Sequence, residues 1–288
     1  MTPLVLIARG IARLPQRGLL WLASFLSLLL WPLLAGRRWI AAINLALCFP
    51  NLSDGERRRL LRANQRATVM GALELLRAWY APSGALAGLA RIEGLPHLQA
   101  ALAAGQGVLL VTGHFTHTEL AVRLLSEALG RPLSGVVRRN NSACLEKALE
   151  QARSRVFGAT LAKKDVRGLL RMLQAGETVV YSADQNFTFQ NAFVPFFGVP
   201  AATLTSTPEL VRRGNAQMLP FWFHREADGR YCLRIETAWP GWMEASAEQA
   251  AAIYMRELEA VVRQHPEQYL WVHRRFKTGP PGSPPVYQ

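Results

Sequence analysis

The chain has 288 residues, half of them hydrophobic, with 33 Lys and Arg against 20 Asp and Glu. That composition excludes a disordered polymer and leaves one large domain with room for an appendage. A net charge of +13 and a pI near 10.6 call for an anionic partner: nucleic acid, an acidic membrane surface, an acidic protein or a phosphorylated substrate.

The first informative stretch is residues 19–36, "LLWLASFLSLLLWPLLAG", which carries no charge. Its length sits at the short edge of the roughly 17–25 residues that span a bilayer. Arg9, Arg13 and Arg17 precede it, Arg37 and Arg38 follow, and Trp21 and Trp31 lie near its ends, where interfacial aromatics belong. These features predict a membrane anchor within residues 1–40, spanning the bilayer or dipping into one leaflet. A buried core helix is the bland alternative. No small-x-small site follows, which argues against a cleaved signal peptide.

Residues 51–80 read as amphipathic helices with Ser53 or Asp54 as cap, and 82–88 as a loop. Beyond Arg91, strands and helices alternate. Strands are expected at 108–112, 134–137, 178–183, 217–224 and 231–238, and helices at 118–129, 142–157, 166–175, 207–213 and 247–265. The alternation predicts an α/β fold, a central mixed sheet flanked by helices, over residues 41–278. Residues 279–288 are proline-rich and read as an extended tail. The three cysteines, Cys48, Cys144 and Cys232, match no zinc or CxxC spacing and fit a reducing compartment.

Within "VLLVTGHFTHTEL" (108–120), a buried strand ends at Gly113 and a helical pattern follows. His114 therefore lies at a strand-to-helix turn, at the carboxyl end of a strand, where open α/β sheets hold ligands. Glu119 follows five residues later. Positions i and i+5 are about 140° apart on a regular helix, so the two meet only if His114 lies in the turn. A histidine so placed suits general-base work, its imidazole oriented by a carboxylate. The bland reading is a surface histidine and a solvated first-turn glutamate. A rival, His114, His117 and Glu119 as metal ligands, lacks an HExxH or cysteine cluster, and no metal is expected.

Other stretches carry further signals: "RRWIAAINLALCFPNLS" after the apolar run, "QARSR" (151–155), "KKDVRGLLRMLQAGETVVYSADQN" (163–186), "FVPFFGVPAATLTSTPELVRRGNAQMLPFWFHR" from Phe193, and "HPEQYLWVHRRFKT" from His265. With "GHFTHTE", and in this order over most of the chain, they resemble the bacterial lipid A late acyltransferases. These are the lauroyl/myristoyl family related to glycerolipid acyltransferases of the H-x4-D/E type. The resemblance implies acyl transfer from the phosphopantetheine thioester of acyl carrier protein to a hydroxyl of a phosphorylated glucosamine disaccharide. It implies His114 as base, Glu119 as its orienting partner, and Arg153 and Asp184 as polar site residues. It places the acyltransferase domain at the cytoplasmic face of the bacterial inner membrane, with no cofactor beyond the donor substrate.

The chemistry of the residues agrees with those expectations. A neutral imidazole near pH 7 can take a hydroxyl proton, and with no Ser or Cys nucleophile motif direct transfer is the simpler scheme. Arg138, Arg153 and Arg155 suit bidentate pairing with substrate phosphates, or are solvated helix charges. Asp184 ends the strand "TVVYSAD", either as a site residue or as a turn aspartate. Phe193, Phe196 and Phe197, beside small residues, are expected to wall an acyl-chain groove, with core packing as the alternative. His273, in "WVHRRFK", reads as structural. Two departures from close lauroyl relatives stand out. Asn186 replaces an acid two residues after Asp184, and Val137 replaces a tyrosine before Arg138. They leave open a sister branch that acylates other membrane glycolipids. Dispersed arginines without a recognition motif argue against nucleic acid, and an intact His114/Glu119 pair argues against a non-catalytic membrane scaffold.

Overall fold

The computed structural model describes residues 3–137, 142–155 and 157–288. Helices α1 (Pro3–Ala12), α2 (Gln16–Leu29), α3 (Ala35–Cys48) and α4 (Asp54–Tyr80) precede the sheet. α4 starts on a capping box: the Ser53 hydroxyl accepts the Glu56 N–H, and the Glu56 carboxylate accepts the Ser53 N–H. Twenty-seven residues long, α4 is the strut on which α1, α2 and α3 pack. Its far end is closed from outside. Arg123 donates to the carbonyls of Ala78 and Ala81, satisfying acceptors that the helix terminus leaves over.

The expected membrane-anchoring helix is corrected here. The apolar run does not form one helix: α2 stops at Leu29, turns occupy 30–34, and α3 starts at Ala35. Pro32 supplies the reason, since it has no N–H and its ring crowds the carbonyl four residues back. The fourteen residues of α2 measure about 21 Å, against a hydrocarbon thickness of about 30 Å. Among the described residues no helix is long and apolar enough to cross a membrane.

The expected strands and helices beyond residue 91 stand near their places, joined by strands at 90–93, 160–162, 191–196 and 199–204 and a helix at 95–103 that the pattern does not show. In order come β1 (Ala90–Glu93), α5 (Leu95–Ala103), β2 (Gly107–Thr112), α6 (Thr118–Leu129), β3 (Ser134–Val137), α7 (Ala143–Arg153), β4 (Thr160–Ala162), α8 (Val166–Gln174), β5 (Thr178–Ser182), β6 (Asn191–Phe196), β7 (Val199–Leu204), α9 (Thr207–Gly214), β8 (Ala216–Arg225), β9 (Tyr231–Ile235) and α10 (Ala247–Gln264). Seven strands form one sheet in the order β1-β9-β8-β2-β5-β3-β4. β8, β2, β5, β3 and β4 run parallel, and β9 returns antiparallel to β8, so the sheet is mixed. β2 lies between β5 and β8 and is buried at all six positions, which is why it reads as an unbroken apolar run rather than an alternating one. β6 and β7 form a separate antiparallel hairpin against α10. The proline-rich tail returns to the body: the Tyr287 hydroxyl accepts the Phe276 N–H and donates to Asn44 of α3.

Candidate active site

Register fixes the centre of the site. Thr112 of β2 pairs with Ser182 of β5, so residues two beyond each, His114 and Asp184, emerge side by side at the carboxyl edge. The Asp184 carboxylate takes both donors that His114 offers. Oδ2 accepts the His114 backbone N–H at 2.9 Å, and Oδ1 accepts the ring Nδ1–H at 2.5 Å. A third donor, the Tyr269 hydroxyl, reaches Oδ2 at 2.8 Å. Burial opposes ionisation of Asp184, yet the His114 imidazole, the two His114 hydrogen bonds and Tyr269 hold its carboxyl well below the usual carboxylate range. An ionised carboxylate only accepts, so the neutral ring carries its proton on Nδ1. Nε2, on a ring one-third exposed at 33%, is left to take a proton. A base nitrogen facing outward, backed by a buried anion, is the arrangement that general-base transfer needs.

The Glu119 expectation takes a different form. Glu119 does lie in the first turn of α6, but the carboxylate bonded to the His114 ring is Asp184. Glu119 is held instead by Arg153, whose Nε and Nη2 both reach Oε1 at 3.0 and 2.5 Å, and by the Trp79 indole N–H at 2.6 Å to Oε2. The physical reason is the turn: residues 113–117 carry His114 toward β5 while α6 aims Glu119 at the ends of α4 and α7. Glu119 and Arg153 are both largely buried, and their charges neutralise each other. Arg155 lies over the ring of Tyr80 and is exposed. Arg138 lies outside the described residues.

His117 is turned away from a metal-ligand role. Its buried ring packs on Phe223 and Tyr231, and burial with the nearby charges of Arg225, His224 and His265 holds it well below the ordinary histidine range. Among the described residues no three His, Cys, Asp or Glu side chains cluster around a common point. His273 is pushed down to about 4, chiefly by burial, with Asp184 opposing and His114 adding to the shift.

The expected groove wall is mostly core. Phe196 is fully buried among Phe197, Tyr269, Trp271 and Phe276, and Phe197 is buried beneath Arg263. Phe193 is half-buried on β6. Adjacent Phe rings alternate across a strand only while it stays regular; Phe197 sits at φ +53° in the hairpin turn, which brings both inward. Asn186, at the departure from the lauroyl relatives, exchanges two 2.9 Å hydrogen bonds with Thr278 and ties the β5 exit to the segment near the carboxyl end.

Reading from the sequence missed Tyr269, Trp79 and the glycine behind the site. Gly71 of α4 lies where an added Cβ would stand 2.1 Å from the Thr116 carbonyl oxygen, so the helix presses directly on the His114 turn. The signal available was a glycine inside an otherwise strong helix pattern, which asks for a close approach.

A family model described as bacterial lipid A biosynthesis acyltransferase matches residues 4–278. The chain belongs to this family. It is 34% identical over 278 residues to the Lipid A biosynthesis palmitoleoyltransferase of Escherichia coli (strain K12), covering 96% of this chain and 90% of that protein. Against the Lipid A biosynthesis lauroyltransferase of the same organism it is 35% identical over 250 residues, covering 85% and 80%. Against the Lipid A biosynthesis myristoyltransferase it is 24% identical over 253 residues, covering 86% and 77%. The chain is thus an acyltransferase of lipid A biosynthesis. The relatives' names differ in acyl group, and two of them stand at nearly equal identity, so overall similarity does not choose a chain length.

Proposed function

We propose that this acyltransferase moves a fatty acyl group from the thioester of acyl carrier protein to a hydroxyl of a phosphorylated lipid A precursor. The observation that carries the proposal is the two-point hold of Asp184 on His114 at the sheet's carboxyl edge. His114 Nε2 takes the acceptor hydroxyl proton as its oxygen bonds to the thioester carbonyl carbon. The tetrahedral intermediate then collapses, the carbon–sulfur bond breaks, and the His114 imidazolium returns the proton to the departing thiolate. Asp184 stays ionised and stabilises the imidazolium in place of Glu119, a reading supported by its hydrogen bond to the His114 ring. Glu119 holds Arg153 in place with its Nη1 outside that grip as a donor for substrate phosphate, and the exposed Arg155 supplies positive charge.

The enzyme works at the cytoplasmic face of the bacterial inner membrane, seated in the plane of one leaflet. Support comes from α1, α2 and the turn before α3. Leu6, Ile7, Trp21, Phe25, Leu28, Leu29 and Leu33 are each between 55% and 80% exposed there. Five arginines and no acidic residue occur before Asp54.

Acyl transfer from labelled acyl carrier protein to a purified lipid A precursor, comparing wild type with His114→Ala, tests the reading. Loss of roughly 10²–10⁴-fold is expected for removal of a general base. A folded His114→Ala protein with near wild-type turnover sinks it.

A further inference from the structure

The segment after α10 is gripped from two sides. Toward the site, the Thr116 N–H donates to the Gln268 carbonyl and the Leu270 N–H to the His114 carbonyl, each at 2.9 Å. Between them Tyr269 reaches Asp184. On the other side stand two asparagines buried within helices. Asn64 of α4 donates from one nitrogen to the carbonyls of Glu267 and Tyr269, both at 2.8 Å. Asn44 of α3 repeats the pattern two residues on, donating to Trp271 and His273 at 2.7 and 2.8 Å.

An amide nitrogen has two hydrogens, and here both are used by both residues. Carbonyl oxygens only accept, so these partners also set which way each amide points. Asparagine is a poor helix former that is seldom fully buried. Two such residues in helix interiors, each bridging carbonyls i and i+2 of one segment, make a clamp. The carbonyl that Asn64 grips belongs to Tyr269 itself, whose hydroxyl holds Asp184.

We propose that Asn44 and Asn64 are positioning residues for acyl transfer. They fix residues 267–273 so that one segment presents Tyr269 to Asp184 and the Leu270 N–H to His114. The inference rests on the reading of His114 and Asp184 as the catalytic pair. It makes α3, and α4 on which α1 and α2 pack, part of what aligns the base.

Asn64→Asp tests it, because the shape is kept while the double donor becomes an acceptor facing two carbonyls. Steady-state acyl transfer is measured in detergent for wild type, Asn64→Asp, Tyr269→Phe and the double variant. Misplacement of a catalytic group by about an ångström can cost 10²-fold, so kcat should fall about 10–100-fold. KM should stay within about threefold, the split expected when alignment and not binding is lost. Because Asn64 acts in part through Tyr269, the double variant should lose less than the two single losses combined. The Nδ1–H proton signal of His114, read by NMR on histidine-labelled protein, should shift in Asn64→Asp. Leu73→Ala, in the packing between α2 and α4, loosens the fold away from the segment and should keep kcat. If Asn64→Asp does not fold, Asn44→Asp in the same cycle replaces it.

Folded Asn64→Asp with wild-type kcat, losses that add fully with Tyr269→Phe, or an equal kcat loss in Leu73→Ala each overturn the clamp. An active His114→Ala protein overturns the catalytic reading instead, and the two failures are told apart in one series.

Discussion

Asp184 receives His114 twice, through backbone and ring, at 2.9 and 2.5 Å, and so fixes both where the turn lies and which ring nitrogen carries the proton. Asp184→Asn should separate these tasks. The amide oxygen can still accept one donor, but the charge that stabilises the imidazolium is gone and the preferred ring tautomer changes. Turnover is expected to drop about 10²–10⁴-fold with little change in KM. Rapid-quench kinetics with saturating donor would show it, and an Asp184→Asn enzyme within tenfold of wild type would return the orienting role to another group.

Glu119→Gln should fail differently. Its carboxylate bonds Arg153 and Trp79, so the substitution leaves a mostly buried guanidinium without its counter-charge. If Arg153 serves the phosphorylated substrates, the main effect is on kcat/KM at low substrate, and Arg153→Lys should share it, since lysine cannot reproduce a two-nitrogen grip. A pure kcat defect in Glu119→Gln, matching that of His114→Ala, would instead put Glu119 at the reacting atoms.

The division between what could be read and what could not follows from how local each signal is. The strands at 108–112 and 178–183 are evident because parallel strands buried on both faces need continuous apolar runs, and β2 and β5 stand there. His114 was legible for the same reason: the strand's end is written in Gly113. Its partner was not, because spacing along the chain favours Glu119 whereas the contact depends on the β2–β5 register, a long-range property. The amino-terminal run misled by its composition. Mean apolarity counts Pro32 as one residue among many, but its missing N–H divides the helix. The short strands β1 and β4 carry too few residues to show a period.

Gly71→Ala sets two magnitudes against each other. Alanine gains about 1 kcal/mol over glycine in a helix interior. The new Cβ, however, would lie 2.1 Å from the Thr116 carbonyl oxygen, a backbone atom that no rotamer can move aside. Overpacking of this kind costs about 1–3 kcal/mol, so the clash should win. Urea titration is expected to show net destabilisation, and turnover should fall because Thr116 is two residues from His114. A stabilised Gly71→Ala protein with full turnover would show that α4 does not press on the turn.

His117 predicts how the fold responds to acid. Burial holds it neutral in the folded protein well below the ordinary histidine range, whereas in the unfolded chain it titrates near pH 6.5. Above that pH neither state binds the proton, and the full stability is present. As pH falls below about 6.5 the unfolded chain alone takes it up, and stability declines by up to about 1.4 kcal/mol per pH unit. The half-buried His224 and His265 shift in the same direction, while Asp184 acts only at lower pH, below the ordinary carboxylate range. His117→Phe fits the aromatic site beside Phe223 and should flatten the decline between pH 7 and 5. Equal pH slopes for wild type and variant in chemical denaturation would count against the assignment.

The amino-terminal face offers the last test. On α2, Leu19 and Ala23 are buried against Met70 and Leu73 of α4, while Trp21, Phe25 and Leu28 form an i, i+4, i+7 stripe on the open side. A helix apolar on both sides but covered on one calls for a second apolar medium, and the flanking arginines favour an anionic surface, at about 1 kcal/mol per basic residue near it. Wild-type protein should bind vesicles containing phosphatidylglycerol more tightly than neutral ones, and less tightly as salt rises. Lipids brominated at shallow acyl positions should quench fluorescence that Trp21→Phe removes. Phe25→Ser with Leu28→Ser should weaken binding by an order of magnitude or more, since burying each side chain contributes about 1.5–3 kcal/mol. Activity on detergent-dispersed substrate should survive, because the stripe faces away from His114's supports on α4. Quenching strongest from bromines at the bilayer centre would mean a deeper insertion than an in-plane helix allows, and unaltered vesicle binding in the double variant would move the contact elsewhere.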